Sequence, residues 1–263
     1  MKTNYHTHTF RCGHASGTEE DYIKEAIKNK LIVLGFSDHG PFKDDRYGSR
    51  MMYSNINDYI ETIRKLKNKY SNEIKIKLGV EIEYSQFDNE YYEELLNTLD
   101  YLALGQHFYV DSNKQAYNVY NFTSTKEYIE YAYSIRNAMK TGYFKFLAHP
   151  DLPFLHDFKY DDNCKKAIEI IIDSSIKYNF ILEFNANGIR KGINNYVSGK
   201  RYAYPFKPFW EEVSKTNLKV IVNSDCHNPN QLWDDSMKKA FHLCNKLGLN
   251  LIDEIGWELR SKL

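Results

Sequence analysis

Two short motifs near opposite ends of the chain each place two possible metal ligands two residues apart. His6 and His8 lie in "NYHTHTF", and Asp225 and His227 lie in "NSDCH", directly after an apolar stretch. On an extended strand, residues i and i+2 share one face with Cα atoms about 6.6 Å apart, which is close enough to bind one cation. An isolated His-x-His pair is more often coincidence, but two such pairs at the ends of two predicted strands indicate metal binding.

Five more side chains that can bind metal follow the predicted strands. They are His14 in "RCGHASG", His39 in "FSDHG", Glu81 in "GVEIEY", His107 in "LGQHF" and His149 in "LAHPD". Neutral imidazoles and carboxylates suit Zn, Fe or Mn. Nine ligands are too many for one ion, so we predict two or three ions, with Glu81 bridging between two of them. We interpret the remaining histidines, His156 and His242, as loop and helix residues without a metal.

The segments that must position these side chains alternate between β-rich and helical patterns. Seven β-rich segments are predicted as strands, at residues 4–8, 31–37, 74–84, 101–106, 143–149, 180–185 and 218–224. The amphipathic segments between them have apolar residues at helical spacing, and the first opens with Thr18 as a predicted N-cap. Seven strand–helix units predict a parallel α/β barrel in a single domain over residues 1–263. In such barrels the chemistry lies at the carboxyl ends of the strands.

The charge balance narrows the possible partners. Lys plus Arg and Asp plus Glu both total 35, so no global positive field attracts nucleic acid or anionic lipid. The first residues lack the apolar core of a signal peptide, and the four cysteines form no CxxC motif. We therefore expect a cytoplasmic protein with a small-molecule substrate and no nucleic-acid or membrane partner. Monomer and homodimer both stay open.

At this point the sequence resembles the polymerase and histidinol phosphatase (PHP) family of metallophosphoesterases. The matching motifs occur in the family's order along nearly the whole chain: "HTHTF", "SDH", "GVEIEY", "GQHF", "AHPD", "LEFN" and "SDCH". Within that family, "FRCGHASGTEEDY", "LGQHFY" and "SDCHNP" are similar to the histidinol-phosphate phosphatases.

The resemblance implies a distorted (β/α)7 TIM-like barrel with a trinuclear metal centre at the carboxyl ends of its strands. It assigns three ligand sets: His6, His8, Glu81 and Asp225 for one ion, His107 and His149 with the bridging Glu81 for a second, and His14, His39 and His227 for a third. No position of the nine-ligand pattern is missing. Asp38, Asp151 and Glu183 lie beside these motifs, either as acids that orient ligand histidines or as capping and loop acids.

The resemblance also implies hydrolysis of L-histidinol phosphate to L-histidinol and phosphate, a step of histidine biosynthesis. A hydroxide bridging two ions would attack phosphorus, and the metals would neutralise the phosphoryl oxygens. We predict catalytic roles for Asp225, His227 and Glu81, with Asp225 or His227 as the proton donor to the leaving alkoxide. Two alternatives stay open: a phosphoesterase for a sugar phosphate, nucleotide or phosphotyrosine, and a metal-binding scaffold without turnover.

A phosphate monoester also needs contacts beyond the metals. Arg190 in "FNANGIRKG" is the first candidate, because a guanidinium matches phosphate with two hydrogen bonds. Ser16 and Arg201 are further candidates, although a solvated loop residue is the simpler interpretation of Arg201. Tyr117 is predicted from its position alone to form a wall for a flat group.

Overall fold

The computed structural model describes residues 2–256 and contains one large parallel sheet with two small hairpins. Eight strands form the sheet in the order β1-β2-β3-β4-β7-β8-β11-β12, and all neighbours are parallel. The strands are β1 (Thr3–Asn4), β2 (Val33–Phe36), β3 (Lys75–Ile82), β4 (Tyr101–Leu104), β5 (Phe108–Val110), β6 (Ala116–Asn118), β7 (Phe146–Leu147), β8 (Ile181–Asn185), β9 (Ile193–Tyr196), β10 (Gly199–Tyr202), β11 (Lys219–Asn223) and β12 (Asn250–Leu251).

Helices connect the strands and cover the outside of the sheet. They are α1 (Glu19–Lys28), α2 (Ile56–Lys69), α3 (Asn89–Leu96), α4 (Lys126–Thr141), α5 (Asp162–Lys177), α6 (Asn187–Arg190), α7 (Lys207–Val213) and α8 (Asp235–Leu247). The N-cap predicted at Thr18 is confirmed, and Thr18 forms a capping box with Asp21. Tyr22, Ile23 and Ala26 form the buried face of α1. This apolar face fixes the helix against the sheet.

The residues that follow β1 and β11 meet at the carboxyl ends of these strands and close the barrel. Thr7 and Cys226 form a parallel bridge, and the amide of His8 donates to the carbonyl of Cys226 at 3.0 Å. Nearer the amino ends, β12 pairs with the first residues of β11. The predicted distorted TIM-like barrel is confirmed. Because all seven long connections return to the same end, every βα loop opens onto one rim.

All seven predicted strands occur in the sheet and lie side by side in chain order, although β1 and β7 have two residues each and are shorter than predicted. The hairpins β5–β6 and β9–β10, the short β12 and the one-turn α6 were not predicted. Both hairpins lie in βα loops, after β4 and β8, so they belong to the rim rather than to the barrel wall. No helix within residues 2–256 combines the length and the apolar character needed to cross a bilayer. The single domain over 1–263 stays a prediction.

Candidate metal centre

Seven histidine rings and two carboxylates converge on the rim of the barrel. The ring centroids of neighbouring members lie 4.3 Å (His8–His39), 4.4 Å (His8–His227), 4.8 Å (His14–His227 and His107–His149), 5.0 Å (His6–His8) and 5.1 Å (His39–His107) apart. Strand ends as far apart in sequence as His6 and His227, 221 positions, supply these rings. The barrel therefore brings all nine predicted metal ligands into one cluster.

The Glu81 carboxylate lies at the centre of this cluster. Oε2 approaches three imidazole nitrogens: those of His39 at 3.0 Å, His6 at 3.2 Å and His8 at 3.4 Å. Oε1 approaches His149 Nε2 at 2.7 Å and His107 Nε2 at 3.7 Å. Each oxygen thus faces a different group of histidines, which is the arrangement that a bridging carboxylate requires.

Gly105 on the neighbouring strand end makes room for the Glu81 side chain. A Cβ at position 105 would lie 2.1 Å from Oε1 of Glu81 and 2.2 Å from its Cγ. These distances are far below van der Waals contact, so any larger residue would displace the carboxylate from the cluster.

Asp225 is the second carboxylate of the cluster, and its two oxygens have different environments. Oδ1 lies 3.2 Å from His8 Nε2 and 3.6 Å from His6 Nε2. Oδ2 accepts hydrogen bonds from the side-chain amides of Asn185 at 3.1 Å and Asn187 at 3.2 Å. The two asparagines therefore hold one oxygen and leave the other facing the histidines.

The backbone is strained at two of these strand ends. His149 and Asp225 have φ values of +30° and +48°, in a region that residues other than glycine rarely occupy. Such residues cost about 1–3 kcal/mol each and cluster at functional sites. The strain turns both side chains towards the cluster, which indicates that their positions serve binding or catalysis.

The cluster fits divalent metal ions because its innermost polar atoms have no hydrogen-bond partner. Among the described residues, the buried atoms without a partner include His6 Nε2, both nitrogens of His8, Glu81 Oε2 and His149 Nδ1. Leaving buried polar atoms unpaired is costly, and bound ions would satisfy them. The ligand atoms form the groups His6–His8–Glu81, His39–Glu81–His107 and His14–His39–His227, each within 4.8 Å. A further group of this kind contains Cys12 with His8 and His227.

Burial and the neighbouring charges divide the histidines into two protonation classes. Burial lowers the pKa of His8 and His227 to about 3 and that of His39 to about 4, so these rings are neutral. Burial also opposes protonation of His6 and His149, but nearby carboxylates outweigh it and raise both pKa values.

The two carboxylates of the cluster are ionised. Burial alone would raise the pKa of Glu81 and Asp225, but the histidines around them lower it well below the usual range. The site is therefore a set of anionic oxygens and imidazoles that positive charge stabilises.

Two further buried acids orient histidines of the cluster. Glu183 accepts from His6 Nδ1 at 2.8 Å and from the backbone amide of His149 at 2.9 Å. Glu83 pairs with His107 Nδ1 at 3.1 Å and with Arg50 through two contacts of 2.9 Å. Such contacts fix the tautomer of a ligand histidine and leave its other nitrogen free for a metal.

The other two acids considered as orienting groups do not contact the cluster histidines. Asp38 accepts from the backbone and hydroxyl of Thr9, and Asp151 accepts from the amide of Phe206 and the indole of Trp210. Both hold loops in place. Of the three predicted candidates, Glu183 alone has the geometry of an orienting residue.

A cavity of about 330 Å³ opens above the cluster. Besides the cluster, it is lined by Tyr120, Asn187, Lys191, Tyr204 and Gln231. Lys191 Nζ donates to Tyr204 Oη at 3.1 Å, and Lys191 is the one Lys or Arg among the lining residues that the structure describes. Its ammonium group is therefore placed to meet an anion bound over the cluster.

The predicted substrate-binding residues do not line this cavity. Arg190 turns towards Asp234, with Nε at 2.7 Å from Oδ2, and also donates to Ser224. Ser16 contacts the backbone of His227 and the side chain of Asn228. The phosphate contacts predicted for Arg190 and Ser16 stay predictions.

Arg201 and Tyr117 lie in the two rim hairpins. The Arg201 guanidinium lies 3.5 Å from the ring centroid of Tyr196 and donates to the carbonyl of His156. Tyr117 stacks on Tyr109 with centroids 4.9 Å apart. Both side chains hold loops together in this structure, and their predicted substrate contacts stay predictions.

Two cavity residues and one buried acid that sequence reasoning missed lie close in sequence to residues that it selected. Lys191 follows Arg190, Tyr120 lies three residues after Tyr117, and Glu83 lies two residues after Glu81. For Glu83, the i, i+2 spacing on an extended segment was a usable signal, since it places both acids on one face. For Lys191 and Tyr120 the sequence contains no such signal, because the directions of their side chains depend on the path of the βα connections that contain them.

Comparison with known proteins extends these observations. The sequence profile described as "PHP domain" matches residues 4–187. A probable histidinol-phosphatase of Deinococcus radiodurans is 24% identical over 86% of both chains. The histidinol-phosphatase of Bacillus subtilis is also 24% identical, over 86% of this chain and 94% of its own. A histidinol phosphate phosphatase of Lactococcus lactis, solved with Zn, L-histidinol and phosphate, shares the fold with a TM-score of 0.73. The two sequences are 16% identical, and the match covers 97% of this chain and 98% of the Lactococcus lactis chain.

Proposed function

The chain belongs to the PHP domain family, and we propose that it is a metal-dependent phosphomonoesterase that hydrolyses L-histidinol phosphate to L-histidinol and phosphate. The names of the relatives from Deinococcus radiodurans and Bacillus subtilis support this substrate. The fold shared with the Lactococcus lactis protein, which was solved with L-histidinol and phosphate, is consistent with it.

The observation that carries the proposal is the group of buried, unpartnered atoms on His6, His8, Glu81 and His149. Nine ligands around them support three divalent ions, for which Zn, Fe and Mn are all chemically suitable. We propose the ligand sets given above, with Glu81 bridging. His39 belongs to two of the candidate ligand groups, one with Glu81 and His107 and one with His14 and His227, so it would be available to an ion in either group.

The chain's own residues then bind and orient the ester. Bound divalent ions would supply Lewis acidity, which acidifies water and neutralises phosphoryl oxygens. The Lys191 ammonium adds a positive charge from the cavity wall, and Tyr204 holds it by accepting its hydrogen bond. Asn185 and Asn187 fix Asp225 so that Oδ1 keeps facing the cluster.

The proposed catalytic roles of Asp225, His227 and Glu81 follow from their protonation. Glu81 and Asp225 are anionic and His227 is neutral at pH 7, because the pKa of each lies well below 7. In this state they bind cations. Asp225 or His227 would donate to the leaving alkoxide after taking a proton from the attacking water, and His227 would have to release its ion to do so, because a neutral imidazole has one lone pair.

A histidine substitution tests the metal centre. We expect His8→Ala to lower the bound metal and abolish hydrolysis, since His8 is completely buried within the cluster. His242→Ala is the matched control, because His242 lies exposed on α8. Metal content by mass spectrometry, phosphate release and circular dichroism are measured on both variants. A folded His8→Ala protein with full activity would remove the central claim.

The substrate is tested by phosphate release from L-histidinol phosphate, sugar phosphates and nucleotides with Zn- or Mn-reconstituted protein. We expect kcat/KM for L-histidinol phosphate to exceed the others by several orders of magnitude. Similar slow rates for all esters would agree with phosphatase activity but would show that L-histidinol phosphate is not the specific substrate. No hydrolysis of any ester with any metal would favour a non-catalytic metal-binding scaffold.

A further inference from the structure

A second lobe of about 360 Å³ adjoins the cavity above the metal cluster. The two lobes share His14, His39, His107 and Tyr120. Beyond these, the second lobe is lined by the segment 48–50 and by Phe108 and Asn118 from the first rim hairpin. An ester whose phosphoryl group lies over the cluster can therefore extend its alcohol part into this lobe.

The lobes differ in charge. The first contains Lys191, Glu81 and Asp225. In the second, the one charged lining residue among those described is Arg50, and its guanidinium is paired with Glu83 and 5% exposed. Within residues 2–256, neither lobe is lined by an acid beyond the two already proposed as metal ligands. An ammonium group on the substrate would therefore find no dedicated carboxylate in either lobe.

Aromatic rings form much of the second lobe instead. Tyr120 is 47% exposed, and its ring lies parallel to His107, with centroids 6.2 Å apart and planes at 8°. Phe108 stacks on Tyr47 with centroids 4.4 Å apart and planes also at 8°. Tyr47 thereby holds Phe108 in position. A half-exposed ring at a cavity mouth is suited to stacking on a flat ligand.

We propose that the second lobe binds the alcohol part of the phosphate ester and selects a flat ring through Tyr120 and Phe108, without recognising an amine. This inference rests on the proposed phosphatase function and deepens it. Specificity then depends on the ring of the leaving alcohol, and Tyr120 is the residue that contacts this ring.

Three esters separate the two features of the alcohol. They are L-histidinol phosphate, 3-(imidazol-4-yl)propyl phosphate, which lacks the amine, and 2-aminopropyl phosphate, which lacks the ring. With Zn- or Mn-reconstituted protein, we expect kcat/KM to change by less than about threefold on loss of the amine and to fall by about 10- to 200-fold on loss of the ring. A loss on amine removal as large as that on ring removal would overturn the proposal.

Variants of Tyr120 test the residue itself. We expect Tyr120→Ala to lower kcat/KM about tenfold or more for the two ring-bearing esters and clearly less for 2-aminopropyl phosphate. Tyr120→Phe keeps the ring and should restore most of the loss. The matched control is Tyr160→Ala, because Tyr160 is also exposed but lines neither lobe. An equal loss for all three esters in Tyr120→Ala would show a general effect on the site and overturn the assignment.

The same assays distinguish failure of the inference from failure of the proposed function. A strong preference for L-histidinol phosphate over sugar phosphates and nucleotides, with no loss of kcat/KM when the ring is removed, would overturn the second-lobe assignment alone. No hydrolysis of p-nitrophenyl phosphate or of any of the three esters would overturn both.

Discussion

Glu183 and Glu83 each contact a different histidine of the cluster, but their charges are compensated differently. Both are buried, and each contacts Nδ1 of a histidine in the cluster. Glu83 forms a two-contact ion pair with Arg50. Glu183 instead accepts from neutral donors: the amides of Asn185 at 2.8 Å and Asn223 at 3.0 Å, and the backbone of His149.

Because Glu83 is paired with Arg50 and Glu183 accepts from neutral donors, the Glu183 side of the cluster is the side that needs added positive charge. Because Arg50 compensates Glu83, that side is close to neutral without any ion. Among its described contacts Glu183 has no Lys or Arg, so its charge acts on His6 and raises the His6 pKa together with Glu81 and Asp225. The Glu183 side is therefore neutralised either by protons on the histidines or by bound metal ions.

The largest expected effect is on folding stability at the Glu83 side. Glu83→Gln leaves the buried Arg50 guanidinium without a counter-charge, so we expect a loss of about 3 kcal/mol in the free energy of unfolding. Urea unfolding of the EDTA-treated protein measures it. The control Glu73→Gln changes an exposed acid and should stay within about 0.5 kcal/mol of the original protein.

A double variant shows whether the unpaired charge causes this loss. Arg50→Met combined with Glu83→Gln removes both charges and should recover part of the stability. If the double variant is less stable than Glu83→Gln alone, packing or the hydrogen bond of Arg50 to the carbonyl of Gly40 dominates. That result would contradict the claim that charge compensation by Arg50 distinguishes Glu83 from Glu183.

The next effect is on metal affinity at the Glu183 side. Glu183→Gln removes an anion that holds His6 and the strained backbone of His149, so we expect metal affinity to fall about 10- to 100-fold. Competition with a fluorescent zinc chelator measures the affinity. Glu83→Gln should lose less, because it orients one histidine. Equal affinity in Glu183→Gln and the original protein would refute an orienting role for Glu183.

Proton release on metal binding is a smaller expected effect. Measured by calorimetry, it tests the same contrast between Glu183 and Glu83. Raised pKa values favour protonation of His6 and His149 in the metal-free protein, and a binding metal ion must displace any proton on these rings. We expect release of about one to two protons and tighter binding as the pH rises. Titration calorimetry in two buffers with different ionisation heats counts the protons. Heats that do not depend on the buffer would contradict the predicted protonation.

The pH dependence of stability in the metal-free protein has contributions of opposite sign. His8, His39 and His227 have pKa values of about 3, 4 and 3, below the unfolded value near 6.5, so their stabilising contribution is lost as the pH falls below 6.5. The raised pKa values of His6 and His149 give a contribution that is present below pH 6.5 and is lost as the pH rises above it.

Together these contributions predict a stability maximum near pH 6.5 for EDTA-treated protein. Urea midpoints at pH 5, 6.5 and 8 test this prediction, with the highest midpoint expected at pH 6.5. A midpoint that rises steadily from pH 5 to pH 8 would show that the neutral histidines dominate. The protons assigned to His6 and His149 would then contribute little.

The sequence by itself determined the order of the strands and the residues at their ends. Alternating β-rich and helical periods predicted the parallel barrel, and that topology placed nine possible ligands on one rim. These inferences succeeded because strand and helix periods are local properties that a parallel sheet converts into common ends. The spacing of His6 with His8 and of Asp225 with His227 also predicted a shared strand face for each pair. The structure differs here: β1 ends at Asn4, β11 ends at Asn223, and Asp225 has a φ of +48°, so both pairs reach the cluster from the residues that follow their strands.

Only the tertiary structure decided which groups support the cluster and which line the cavity. Arg190 turns to Asp234 while its neighbour Lys191 lines the cavity, and Tyr117 stacks in a hairpin while Tyr120 lies at the junction of two lobes. Adjacent loop residues point in directions that contacts with distant elements determine. No periodicity describes an irregular loop, so its path, and with it the recognition of the substrate, is decided only when the whole barrel has folded.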